Sequence, residues 1–158
     1  MKAEHLNPFV SSTVSVFETM LSCKLTRGKI FIKDKVSPEF EVSGIIGLSG
    51  KAAGTVVLSF NRTTALMAAK TLLGEMPETI NADVVDAVGE LANMVAGAAK
   101  AQLEQFEMSL TIPTVIVGKD FHIEFPSKTP PICIPFECQW GPLTVEVGLV
   151  EQAAAVLV

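Results

Sequence analysis

Groups that run chemistry on their own are scarce in this sequence. It has two histidines, His5 and His122, and three cysteines, Cys23, Cys133 and Cys138. No HExxH or CxxC spacing joins them, so no metal site of the chain's own is expected. An odd number of cysteines gives no disulfide framework, and all three sit among apolar neighbours, as packing thiols of a reduced chain do. Cys133 and Cys138 lie five apart, which in one regular strand puts them on opposite faces. Long apolar runs are also missing. No stretch of about 18 uncharged residues could cross a bilayer, and the opening MKAEHLNPFV lacks the apolar centre of a secretion signal. The expectation is a cytoplasmic protein with no membrane partner. Positive charge is short, with 12 Lys and Arg against 17 Asp and Glu for a net −5, so nucleic acid is excluded as a partner. There is no G-x-S-x-G elbow, no P-loop and no G-x-G-x-x-G. Gly47, Gly50 and Gly54 surround a turn and follow no phosphate-loop pattern.

The 158 residues are 49% hydrophobic and 18% charged, enough for a real core and too apolar for disorder. A single domain over 1–158 is expected. Asn7-Pro8 reads as a helix start, an Asn cap followed by Pro at the first helical position, and Val10, Val14, Phe17 and Leu21 repeat at helical spacing after it. Residues 28–35 alternate as a strand, and 40–48 and 53–60 read as two more about the turn Ser49-Gly50-Lys51. Asn61 caps a helix over 62–73, closed by Gly74. After a longer helix near 81–105 the period returns to two. The pattern predicts a hairpin of 109–117 and 120–125 about Gly118-Lys119, then another of 132–140 and 143–150 about Gly141-Pro142. Glu151 onward reads as a frayed tail. Three helices and about seven hairpin-rich strands make an α+β fold, a mostly antiparallel sheet with the helices packed on it. An internal pseudo-repeat is suggested by aligning Phe17–Leu21 with Leu91–Val95, each helix being followed by strands.

The helix at 81–105 carries the pattern of most interest. Val84, Val88, Leu91, Val95 and Ala98 share an apolar face. Opposite them lie Asp83, Asp86, Glu90, Asn93, Gly97, Lys100 and Glu104. Asp86, Glu90 and Asn93 follow i, i+4, i+7 and stack in one column. Ala87, Gly89, Ala96 and Ala101 flank it and project almost nothing. Glycine inside a helix costs about 1 kcal/mol relative to Ala, so Gly89 and Gly97 suggest a face kept low for a partner's approach, with Asp86 alongside. A polar face opposite an apolar stripe is ordinarily just a wet helix surface, and the two glycines are what argue against that here.

An exposed carboxylate and an amide one turn apart form no covalent intermediate. In a partner's active site they could still act together. Asn93 could hold a water for in-line attack on a phosphoryl group, and Glu90 could pair with a cation of the partner and fix its register. In the alignment of the two helices, the first has Val16 and Thr19 where Glu90 and Asn93 stand.

At these residues the chain resembles the CheC/CheX/FliY group of bacterial chemotaxis phosphatases. Their signature is Asp or Ser, three residues, Glu, two residues, Asn, and a Pro some twenty residues on. Here it reads Asp86-Ala-Val-Gly-Glu90-Leu-Ala-Asn93, with Pro113 in Thr111-Ile112-Pro113-Thr114-Val115-Ile116-Val117-Gly118, a residue or two closer than is usual. Asn7-Pro8-Phe9 and the segment from Gly47 to Phe60 are similar to CheX, and the likeness spans about 6–150. CheC and FliY carry the motif on two helices and CheX on one, so this chain is most like CheX. The resemblance implies hydrolysis of the aspartyl phosphate on a phosphorylated CheY-type receiver. The Asn at 93 would orient the water and the Glu at 90 would grip the receiver's lysine. The chain would need no cofactor of its own, the Mg²⁺ belonging to the receiver, and would be a homodimer joined through a continuous sheet. Two rival readings are a receiver-binding or dimerisation module without catalysis and a structural part of the flagellar switch, the latter expected to carry extra binding segments.

Overall fold

A computed structural model describes residues 1–35, 37–125 and 130–153. Helix α1 covers Ala3–Leu21, α2 Arg62–Leu73 and α3 Ala82–Ala101. The strands are β1 Thr26–Arg27, β2 Phe31–Ile32, β3 Val42–Ser49, β4 Ala52–Phe60, β5 Ser109–Leu110, β6 Thr114–Val117, β7 Ile132–Cys138 and β8 Gly141–Glu151. All pair antiparallel in one sheet ordered β1-β7-β8-β4-β3-β5, with β2 beside β1 on β7 and β6 beside β5 on β3.

Alternation along the strands gives the sheet two buried faces. Leu143, Val145, Val147 and Leu149 of β8 join Val56, Leu58 and Phe60 of β4 in the core under the helices, with Val84, Val88, Leu91 and Val95 of α3 and Phe9 and Phe17 of α1. Phe17 and Phe60 meet with ring centroids 6.0 Å apart. Gly44 of β3 sets how deeply α3 sits: a Cβ there would fall 2.9 Å from Ala92 Cβ. The other face carries Cys133, Thr144 and Glu146, all buried. Lys33 crosses it and donates to Glu146 Oε1, Phe40 N–H donates to Ser59 Oγ at 3.0 Å, and Phe125 lies against Gly148.

The pairing makes the repeat visible. Each long hairpin, β3–β4 and β7–β8, receives an edge arm from the other half, β5/β6 on β3 and β1/β2 on β7. Both arms slip by one residue partway. Between the pairs Leu48↔Leu110 and Ile45↔Thr114, residues 111–113 face only Ile46 and Gly47. Between Arg27↔Phe136 and Phe31↔Cys133, residues 28–30 face only Ile134 and Pro135. Two equivalent bulges on two equivalent edges are what a duplicated helix-plus-strands unit leaves behind. The centre of the relation is the pair Val57↔Glu146, where β4 meets β8.

Several local expectations fail for identifiable reasons. The first helix begins at Ala3, with Pro8 inside it and not at its start. The extra turn is worth forming because His5 is buried edge-on against Phe106, centroids 4.9 Å apart. Residues 28–35 are not one strand, since the bulge at 28–30 divides the arm and Lys33 turns inward. The third helix stops at Ala101, and its apolar period runs on through Leu103 into a 3₁₀ turn, Glu104–Phe106, closed by Glu107 at φ 46°. Residues 109–117 make two short strands, and 120–125 make none: β6 pairs with β3, and Ile123 is buried without a ladder. The last hairpin turns at Gln139-Trp140, because Gly141, at φ 128°, already pairs with Cys138. Glu151 is no tail residue, for it pairs with Ala52, and Gln152 N–H donates to Lys51 O at 2.7 Å. The remainder of the supposed tail, 154–158, lies outside the described residues.

Candidate functional site

Helix α3 places the column as a period of 3.6 requires. Asn81 caps it, accepting from Val84 N–H at 3.0 Å, and Val84, Val88, Leu91 and Val95 are fully buried on the sheet side. That orientation leaves Asp86 and Glu90 exposed and Asn93 half-buried on the outer side. Among the described residues none of the three side chains makes an ion pair or a hydrogen bond to another residue. A molecule arriving from outside could engage their polar groups without breaking any bond to the described residues.

The two glycines do different things. Gly89 is buried: a Cβ there would come 3.3 Å from Val115 Cγ2 and 3.6 Å from Pro113 Cγ. Its missing side chain lets the β5/β6 arm lie on α3, so space read as open to a partner is filled from within the chain. The same holds for the buried Ala87 and Ala96. Gly97 is open, with only Leu110 Cδ1 within reach at 3.9 Å. It forms the floor of a hollow of about 380 Å³ that continues the column past Asn93 toward Lys100, Ala101 and Glu104. Pro113 therefore acts here by packing on the residue preceding Glu90.

A second cluster has no local signal in the sequence. The ligand atoms of Glu39, Cys133 and Glu146 lie within 4.8 Å of one another, and Lys33 Nζ stands among them, bonded to Glu146 and 3.7 Å from Glu39. The lysine ammonium already supplies the positive charge that the buried Glu146 and the half-buried Glu39 need. Burial raises the Glu146 carboxyl, and Lys33 offsets part of that. Burial, then the charges of Glu146 and Glu39, push the Cys133 thiol up to about 12; burial beside Cys138 pushes Cys23 to about 12 as well. These thiols stay protonated and unreactive near neutrality. They are free cysteines, with Cys23 and Cys133 buried.

Comparison with known proteins identifies the family. Residues 42–137 match the family described as chemotaxis phosphatase CheX. The CheY-P phosphatase CheX of Thermotoga maritima is 28% identical over 127 residues, 78% of this chain and 82% of that protein. A CheC-like superfamily protein from a Shewanella species (PV-4) superposes with a TM-score of 0.85 at 34% identity, over 95% of this chain and 99% of its own. CheX from the CheX–CheY–BeF₃–Mg²⁺ complex of Borrelia burgdorferi has the same fold, with a TM-score of 0.79 at 24% identity over 95% of this chain and 100% of its own. No helix among the described residues is long and apolar enough to cross a membrane. With a family match over residues 42–137, more than half of the chain, and a fold that superposes on its solved relatives, this protein belongs to the CheX family of chemotaxis phosphatases.

Proposed function

We propose that the chain hydrolyses the aspartyl phosphate of a CheY-type receiver, with α3 entering the receiver's active site. Asn93 orients the attacking water through its side-chain carbonyl and amide. Glu90 pairs with the receiver's lysine and sets the register. Asp86 and Gly97 border the contact, Gly97 by leaving room. Charge built up at phosphorus falls to the Mg²⁺ and lysine of the receiver, so this chain supplies position and a water-holding amide. A receiver of that type places the reaction in the cytoplasm. The observation that carries the reading is the pairing of Glu90 and Asn93, one turn apart on the open side of α3 and unengaged among the described residues. The crystallised complex of CheX with CheY, BeF₃ and Mg²⁺ from Borrelia burgdorferi supports it by likeness of fold.

The roles separate on titration against a beryllofluoride-loaded receiver with Mg²⁺. Removing one partner of a desolvated charge pair costs about 2–5 kcal/mol, so Glu90→Ala should weaken binding by at least tenfold. Asn93→Ala removes an interaction made in the transition state. It should bind like wild type, release no phosphate, and melt within about 0.5 kcal/mol of wild type, as surface variants do. Wild-type binding by both variants would show that this face is not where the receiver docks.

A further inference from the structure

Ile112 is 88% exposed, more than any other large apolar side chain described. Its backbone is held on both sides. Thr111 N–H donates to Gly47 O at 3.0 Å, and Thr111 Oγ accepts from Gly47 N–H at 2.8 Å. On the other side Pro113 rests on Gly89, and a residue before proline is confined to extended backbone. Ile112 is the middle residue of the β5/β6 bulge, and a bulge of this kind re-aims a side chain beside a functional site. The isoleucine is thus presented to solvent by a fixed support.

Its place along α3 follows from its neighbours. Leu110 stands at Gly97, and Pro113 and Val115 stand at Gly89. Those two glycines are about 12 Å apart along the helix axis, and Ile112 lies between their partners, alongside Glu90 and Asn93. The other half of the repeat gives a comparison. The equivalent bulge residue there is Lys29, also exposed, and it accompanies the helix that has Val16 and Thr19 in place of the polar pair. The apolar apex occurs only beside the complete column.

We propose that Ile112 is a docking residue for the phosphorylated receiver: it seats on an apolar patch bordering the receiver's phosphorylated aspartate and positions that aspartate against Glu90 and Asn93. The inference rests on the receiver-phosphatase reading above. The receiver is the occupant because the isoleucine is continuous with the column, and a second copy of the chain seated there would close the column off. Ile112 touches no reacting atom, so it acts on affinity and not on the chemical step.

The test measures phosphate release against concentration of a CheY-type receiver from the same genome, phosphorylated with acetyl phosphate. Ile112→Ala and Ile112→Asp should raise KM about tenfold or more, a change of about 1.4 kcal/mol or more, with kcat and melting temperature retained. Ile112→Leu should recover most of the loss. Ile32→Ala, at the far edge of the sheet and 67% exposed, should leave KM unchanged. An active wild type whose KM stays within twofold in both Ala and Asp variants overturns the docking role while leaving the phosphatase reading intact. An Ile112→Asp variant that changes molecular mass with KM unaltered assigns the residue to a second copy and overturns it too. A wild type inactive on every such receiver removes the parent reading, and the docking role with it.

Discussion

A carboxyl group with 1% of its surface exposed has to find a counter-charge or a proton, and Glu146 finds some of each. Lys33 neutralises one oxygen, while Oε2, like the nearby Thr144 hydroxyl, has no partner among the described residues. The balance leaves the carboxyl above its ordinary value of 4.5, with burial as the leading cause. In the unfolded chain it titrates near that ordinary value, so the folded state takes up the proton at higher pH. Stability attributable to this group therefore increases as pH falls from its raised folded value toward 4.5, and is lost again as pH rises. Glu146→Gln cannot take up that proton. Subtracting its stability from that of wild type across pH 7 to about 4.5 should give a difference that shifts in favour of wild type as the solution becomes more acid. A difference independent of pH would mean that Lys33 holds the carboxylate ionised throughout. No sequence pattern could have announced this cluster, because Lys33 and Glu146 are brought together only by a sheet joining distant segments, and a lysine in an alternating stretch reads as solvent-facing.

At the scale of elements, legibility followed the local chemistry. Asn61 and Gly74 marked α2 to the residue, because a cap oxygen on Thr64 N–H and a left-handed glycine at φ 84° are local events. Asn81 marked the start of α3 in the same way. Its end was missed because Leu103 and Phe106 keep the apolar period while the chain leaves the helix. The column was legible from periodicity alone. The covering of Gly89 was not, since it depends on a bulged arm more than twenty residues later. Gly97 now makes a sharper test than Gly89. It sits inside α3 with nothing nearer than 3.9 Å to the position of a Cβ, so Gly97→Ala should gain stability, up to about 1 kcal/mol from helix propensity. The same methyl would stand in the hollow beside Asn93. The expected result is a protein with a higher melting temperature and a weaker hold on the receiver. A stabilised variant with unchanged affinity would free Gly97 from any part in the contact.

For the whole molecule, a mostly antiparallel sheet with three helices packed on it was readable as a class, since turn residues and hairpin spacing are local. The strand order was not, because each edge arm crosses to the hairpin of the other half. That crossing bears on assembly. Resemblance to CheX leads to the expectation of a homodimer through a continuous sheet, yet both edges are two short strands broken by a bulge, a form that blunts backbone pairing. Side chains must then do more of the joining. The β5/β6 edge lies against α3 and the column, and a second copy there would crowd the receiver. The β1/β2 edge is remote from the column and exposes Phe31 by 42% and Ile32 by 67%. We expect the dimer to form at the β1/β2 edge. Light scattering at micromolar concentration should give about twice the 16.8 kDa chain mass, and Phe31→Asp with Ile32→Asp should return it to one chain mass while phosphate release persists. Val117→Lys, on β6, should leave the dimer intact. Dissociation by Val117→Lys and not by the Phe31 and Ile32 pair would move the interface to the edge beside the column, where dimerisation and receiver binding would compete.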